Sequence, residues 1–260
     1  MMKTAGHRYD GRALTILALI ILLIIHLPQA GCVPPGTYDL SEREEDIPIF
    51  DDIEEAEQIA LYMDDDVVLN RFLLKRVFYD ITLIRGAFGM EIEAVEYIRF
   101  KPFCKDGRIM IVFDEESFPT VLAGEFTGWN ELNDRYLPYD VKTVNRLRKV
   151  YLYFDGLLDY RALAARYAEL PNVTSAKCVG PVGDSPNIYP RRTDTGIDYL
   201  FRDAWGTCSA GCSHSEFYYF VCENDDAVYV GHWNPEERMK PPEWWPMAKK
   251  CLPEGLREQY

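Results

Sequence analysis

The chain has 260 residues, with 28 Lys and Arg against 42 Asp and Glu, a formal net charge of −14. An acidic chain repels nucleic-acid phosphates, and no basic stripe stands out along the sequence to offset this, so nucleic-acid binding is excluded as a class. The length suits one large or two small domains.

Residues 1–31 carry Lys3, Arg8 and Arg12 against Asp10, then the apolar run Leu14–Ile25, broken only by Thr15, then His26, Pro28 and a small-residue exit. A basic start, a short apolar segment and small residues before a cut are the parts of a secretion signal. The apolar run is shorter than the roughly 20 residues that a membrane span needs. The exit, Leu27-Pro-Gln-Ala-Gly-Cys32, resembles the lipobox of bacterial lipoproteins, matching at Ala30, Gly31 and Cys32 and departing at Gln29, where leucine is expected. The resemblance implies lipidation of Cys32 and a mature chain held at the membrane by that lipid, in the cell envelope. Seven cysteines are present, and with Cys32 lipidated an even set remains: Cys104, Cys178, Cys208, Cys212, Cys222 and Cys251. In an oxidising compartment these can form up to three disulfides.

Residues 32–63 open on Pro34-Pro35-Gly36 and are rich in acids, including Glu42, Glu44, Glu45, Asp46, Asp51, Asp52, Glu54 and Glu55, which reads as an acidic tether. Over residues 64–92, Val67, Val68, Leu69, Phe72, Leu73, Val77, Ile81 and Ile84 recur at three- and four-residue steps. That period predicts an amphipathic helix, capped near Asp64–Asp66 and stopped at Gly86.

From residue 93 to 180 the predicted elements are a strand over Glu93–Phe100, a strand over Arg108–Phe113, short helices over Glu115–Phe126 and Trp129–Tyr136, a strand over Val150–Phe154, a helix over Leu157–Leu170 and a strand over Val173–Val179. This order suggests an α+β layer on a mixed or antiparallel sheet. Gly107-Arg-Ile-Met-Ile-Val-Phe-Asp114 and Leu163-Ala-Ala-Arg-Tyr-Ala-Glu-Leu-Pro-Asn-Val-Thr-Ser-Ala176 resemble the prosegment of subtilisin-type proteases. The resemblance implies a small ferredoxin-like layer and, as an alternative function, protease inhibition through this module.

Residues 181–260 predict an antiparallel β module: strands over Thr195–Arg202, Ser215–Val221 and Ala227–Trp233, with a hairpin turn at Asn224-Asp225-Asp226. Gly183-Asp184-Ser185, Tyr199-Leu200-Phe201, the run Gly206–Cys212 and Phe217-Tyr-Tyr-Phe220 resemble a module that ends many exported bacterial proteins. That likeness implies a location and no activity.

Chemistry-bearing groups are sparse. Cys208-x3-Cys212-x-His214, with Cys222 nearby, has zinc-compatible spacing, and export favours a Cys208–Cys212 disulfide over metal. The remaining pairings are guesses: Cys222 with Cys251, and Cys104 with Cys178. His214 and His232 can be imagined in a triad with Ser213, Ser215 or Asp203, but no nucleophile-elbow pattern accompanies them, so a secreted hydrolase is a second alternative. Asp184, Asp225 and Asp226, with Asn187 and Asn224, offer oxygens for calcium, yet these are the default turn residues. Trp233, Trp244 and Trp245 mark an aromatic tail that presents a protein or glycan surface or else clamps over the sheet. The expectation is an exported α+β protein with a binding or structural role, no catalytic residue, no metal and no cofactor.

Overall fold

In a computed structural model, residues 49–260 are described apart from Asp65, Lys105, Asp106, Pro181, Val182, Gly183 and Met239. The leader and Cys32 lie outside the described residues. The described elements all belong to the unit Pro48–Tyr260.

The chain opens with helix α1 (Ile49–Met63) and helix α2 (Arg71–Phe88). Residues 49–63, read in the sequence as part of an acidic tether, are therefore helical, and the rest of that stretch lies outside the described residues. In α1 the acids alternate with Ala56, Ile59 and Ala60, which recur at helical spacing and are fully buried. Two of the acids are drawn inward as well: Arg85 of α2 meets Asp52 at 2.5 Å and Glu55 at 2.6 Å. The second helix starts later than the sequence suggests, because Asn70, not Asp64–Asp66, caps it: its carboxamide oxygen accepts from Phe72 N (3.0 Å) and Leu73 N (3.3 Å). Leu73, Val77, Ile81 and Ile84 form its buried stripe.

The predicted strand over Glu93–Phe100 is not one. Glu93–Tyr97 form a short helix, α3, which buries Ala94 and Val95. Glu and Ala favour a helix, and tertiary contact with α2 decides against the weak alternation around Val95 and Tyr97.

Strand β1 (Arg108–Phe113), helices α4 (Phe118–Leu122) and α5 (Asn130–Tyr136), strands β2 (Asp140–Val144) and β3 (Lys149–Tyr153), helix α6 (Tyr160–Ala168) and strand β4 (Val173–Cys178) form the first sheet and its cover. The sheet is antiparallel throughout, in the order β2-β3-β1-β4. With helices between β1 and β2 and between β3 and β4, this is the ferredoxin-like βαββαβ arrangement. Edge strand β2 escapes sequence reading because four of its five residues are exposed and no apolar alternation is required. Ile109, Ile111, Phe113, Val150 and Leu152 point to the helix side and pack with Tyr160, Leu163, Ala164 and Tyr167 of α6, the face expected for that helix. The opposite side of the sheet, with Met110, Val112, Tyr151 and Tyr153, joins none of the buried apolar clusters.

The second sheet is an antiparallel meander, β5 (Asn187–Arg192), β6 (Gly196–Trp205), β7 (His214–Glu223) and β8 (Asp226–Trp233). Strand β5 lies outside the predicted elements, since Pro190 demotes a strand pattern; it sits at the sheet edge, where the missing N–H does no harm. Asn224 and Asp225 close the β7–β8 hairpin with φ of 49° and 63°, as a two-residue primed turn requires. One face, with Ile197, Tyr199, Phe201 and Phe220, packs on α1 and α2. The other, with Leu200, Phe217, Tyr219 and Trp233, is covered by the C-terminal tail, which contains helices α7 (Trp245–Ala248) and α8 (Glu254–Arg257). The segment leading into α2 joins the two halves through its main chain: Asp159 N donates to Val67 O at 3.0 Å, and Val68 bridges Leu158.

Two disulfides are formed. Cys104–Cys178 ties the loop before β1 to the end of β4, with Cα atoms 5.7 Å apart. Cys208–Cys212 closes the turn between β6 and β7, with Cα atoms 3.9 Å apart. Cys222 and Cys251 are buried free thiols, which corrects the pairing guessed for them. Cys222 points to the helix side of the second sheet and Cys251 lies under the tail on the other side, so the sheet itself separates them.

Candidate functional site

The described residues gather their histidines, several carboxylates and exposed aromatics at one end of the second sheet. The β6–β7 register sets Asp203 opposite Glu216, and the β7–β8 register sets Tyr218 opposite His232. Two like charges directly opposite each other destabilise a strand pair unless donors neutralise them. Here they do. Glu216 accepts from Tyr218 Oη (2.9 Å) and Asn234 Nδ2 (2.9 Å), and meets His232 Nε2 at 3.3 Å. Asp203 accepts from the hydroxyl of Tyr97, the last residue of α3. Burial, then hydrogen bonding to these carboxylates, pushes both phenols up, so Tyr97 and Tyr218 remain protonated donors. The His232 ring stacks on Tyr218 with centroids 4.7 Å apart. Next to this cluster His214 pairs with Glu236 and stacks on the exposed Trp205.

Each histidine thus holds a carboxylate, not a nucleophile. Ser215, imagined in a triad, points to the tail side, where it accepts from Arg202 Nε (3.0 Å) and from Tyr260 Oη (2.8 Å). Asp203 belongs to Tyr97, and Ser213 accepts from Thr207 N. Among the described residues no hydroxyl or thiol is hydrogen-bonded to either imidazole. Sequence reasoning misses the carboxylate partners, Glu216 and Glu236; Glu216 sits two residues from His214 on one strand, and only the fold carries it to His232.

A second polar group lies under the tail. Arg202 is wholly buried and grips Asp184 with two bonds of 2.7 Å. Asp184 also accepts from Cys212 N (3.2 Å), and its own N–H donates to Cys208 O (2.8 Å). Burial alone raises the Asp184 carboxyl, but the Arg202 bonds and charge and the N–H groups of Ser185 and Cys212 outweigh it and hold it below its ordinary value. The Asp184 and Gly206–Cys212 segments, far apart in sequence, are therefore one structural unit. Asp225 and Asp226 sit at the opposite end of the sheet in the β7–β8 hairpin, so the imagined calcium oxygens are not brought together. Among the described residues no group of three or more Asp, Glu, His or Cys side chains is placed to hold a metal ion.

The aromatic tail is a clamp. Trp233 and Trp245 are buried, with ring centroids 4.3 Å apart, and offer no face to a ligand. Trp244 stacks on Tyr219. Its ring lies over Gly231, where an added Cβ would come within 2.6 Å of the indole nitrogen.

No protein-family model, curated protein or solved structure matches this chain. Among the described residues no helix is long and apolar enough to cross a membrane.

Proposed function

We propose that the chain is an exported protein of the bacterial cell envelope, anchored by a lipid on Cys32, whose folded part has a binding or structural role. The observation that carries this reading is the pair of disulfides, Cys104–Cys178 and Cys208–Cys212, because such bonds persist in oxidising compartments and are rare in the cytosol. The leader and the small-residue exit before Cys32 point the same way. A binding or structural role fits histidines that are held by carboxylates and stacked on aromatic rings, and a first sheet whose outer face joins no buried apolar cluster of the described residues.

The test is a Cys32→Ser variant expressed in a bacterial host and labelled with a fatty-acid analogue. The parent should label, partition into detergent and lie outside the cytoplasm. The variant should lose label and partition. A parent that stays in the cytoplasm with reduced Cys104 and Cys208 overturns the export reading; a variant that still labels overturns the anchor.

A further inference from the structure

The outer face of the first sheet carries a different charge from the rest of the molecule. Residues directly opposite one another in antiparallel strands share a face. One row across the sheet reads Lys142, Tyr151, Met110 and Lys177, from β2 to β4. The neighbouring rows add Asp140, Tyr153 and Arg108 on one side and Val144, Lys149, Val112 and Ser175 on the other. Among the described residues of these rows, Lys142, Lys149, Lys177 and Arg108 stand with one acid, Asp140, in a chain where acids outnumber bases by 42 to 28. Arg108, Lys149 and Lys177 line an open trough of about 400 Å³ together with Met110, Tyr151 and Tyr153. Asp140 pairs with Lys142 at 3.2 Å, while Lys149 and Lys177 have no ion-pair partner among the described residues.

The arrangement is an apolar middle with a basic rim. The half-buried Val112 and Tyr151 form the middle, with Met110 buried between them. Lys142 and Lys177 stand on the two edge strands, three strand spacings or about 14 Å apart. Arg108 and Lys149 lie one row along in either direction, about 7 Å from the middle row. The tyrosine rings are not bare stacking platforms: Arg108 sits 5.8 Å over Tyr151 and Lys142 4.7 Å over Tyr153. The face therefore offers positive charge and N–H donors around an apolar strip, which disfavours ligands that bind through stacked bases or sugars.

We propose that this face docks an acidic amphipathic helix of a partner protein, lying along the strands with its apolar stripe on Tyr151 and Val112 and its carboxylates against Lys142, Lys177 and Lys149. A helix with its side chains is about 10–12 Å across, which fits between the two edge lysines. Apolar centre and charged rim is also how protein interfaces are divided, with Tyr, Met and Arg favoured in them. The charge complementarity is selective within this chain's own surroundings, since a basic partner is repelled here and attracted elsewhere on the molecule. The proposal rests on the binding reading above but fails separately from it: a chain that is exported and ignores acidic helices leaves that reading standing.

The probe is a synthetic helical peptide with a leucine stripe flanked on both sides by glutamates, titrated calorimetrically into the intact oxidised chain. It should bind, and raising the salt concentration should weaken it. A Lys142→Glu/Lys177→Glu double variant should lose about tenfold in affinity or more, as expected for two interfacial charge pairs reversed, while Lys75→Glu, an exposed lysine on α2, should change it less than about twofold. Amide shifts at Lys149 and Tyr151 on titration should place the peptide on this face. The proposal is overturned if the peptide does not bind, if the double variant binds it as well as the parent, or if a scrambled peptide of the same charge without a stripe binds equally. It is overturned equally if single-stranded RNA or polygalacturonate binds the face more tightly than the peptide.

Discussion

The two sheets have the same number of strands, the same antiparallel pairing and opposite surroundings. Among the described residues the first is covered on one side. Its strand β3 alternates accordingly, with Val150 and Leu152 inward and Lys149, Tyr151 and Tyr153 outward. The second is covered on both sides, and in β6 every residue from Ile197 to Arg202 is buried. A strand buried on both faces has nowhere wet to put its polar residues, so each needs a partner. Asp198 takes Arg191 and Arg202 takes Asp184. The contrast separates two uses of charge: buried ion pairs within the second sheet, and a rim of lysines on the outer face of the first.

The largest expected effect tests the structural half of that contrast. Arg202→Ala leaves the Asp184 carboxylate beneath the tail without its cation, bonded only to the N–H groups of Ser185 and Cys212. Breaking a buried ion pair by removing one partner costs about 3–5 kcal/mol, and chemical denaturation should show a loss at the upper end of that range. A loss below about 1 kcal/mol would mean that water readily takes the place of Arg202 at the partly exposed Asp184 and that the second sheet is not sealed by its tail.

Next come the disulfides, one in each half. Cys104–Cys178 closes a sequence separation of 74 and Cys208–Cys212 one of 4. On the loop-entropy model, replacing the first pair by alanines costs about 4 kcal/mol and replacing the second about 2 kcal/mol. Denaturation midpoints of the two double variants decide this, and equal losses would show that the short bridge does more than restrain the unfolded chain. Unreduced mass spectrometry should find Cys222 and Cys251 unlinked. Both should resist alkylation in the native state, since burial drives the Cys222 thiol up and, with the nearby Asp198 charge, lifts that of Cys251 to about 12.

A pH profile probes the helix side of the second sheet. Asp80 of α2 is wholly buried, bonded to Arg76 Nε and to Tyr199 Oη, each at 3.1 Å. Burial lifts its carboxyl to about 6 against the lowering pull of Arg76. The unfolded chain releases this proton at about pH 3.9. Between those values the folded state binds more protons, so Asp80's contribution to stability falls as the pH rises through that window, by about 2–3 kcal/mol in all. Asp80→Asn should flatten that slope. A parent and variant with parallel profiles from pH 4 to 6 would place Asp80 in water.

Legibility in the sequence divides along the same line. Elements with one wet face are legible, because alternation and helical spacing mark them: β1, β3 and α6 fall where Ile109, Leu152 and Leu163 place them. The Asn224-Asp225 turn is legible because few residues other than Gly, Asn and Asp tolerate two positive φ values in succession. Helix α1 is hidden by its acids, whose role depends on Arg85, 30 or more residues away. Strand β5 is hidden by Pro190. The basic face is invisible for a different reason. Lys142, Lys149 and Lys177 lie on three strands and are separated by ordinary mixed sequence, and only the sheet register brings them to one side.

The smallest expected effect is the sharpest test of the first sheet's half of the contrast. If the outer face of the first sheet is solvated and idle in the free protein, its lysines contribute nothing to folding beyond weak surface electrostatics. Lys149→Ala and Lys177→Ala should each leave the denaturation free energy within about 0.5 kcal/mol of the parent, the range for exposed substitutions away from caps, cavities and buried networks. Removing a like charge from a crowded basic face relieves some repulsion, so a slight gain is the expected sign for Lys177, which is exposed and unpaired. Raising the salt concentration should shrink that gain, since screening weakens the same repulsion in the parent. A loss of about 2 kcal/mol or more for either variant, far outside the surface range of about 0.5 kcal/mol, would mean that this face is covered within the chain itself and is not held open for a partner.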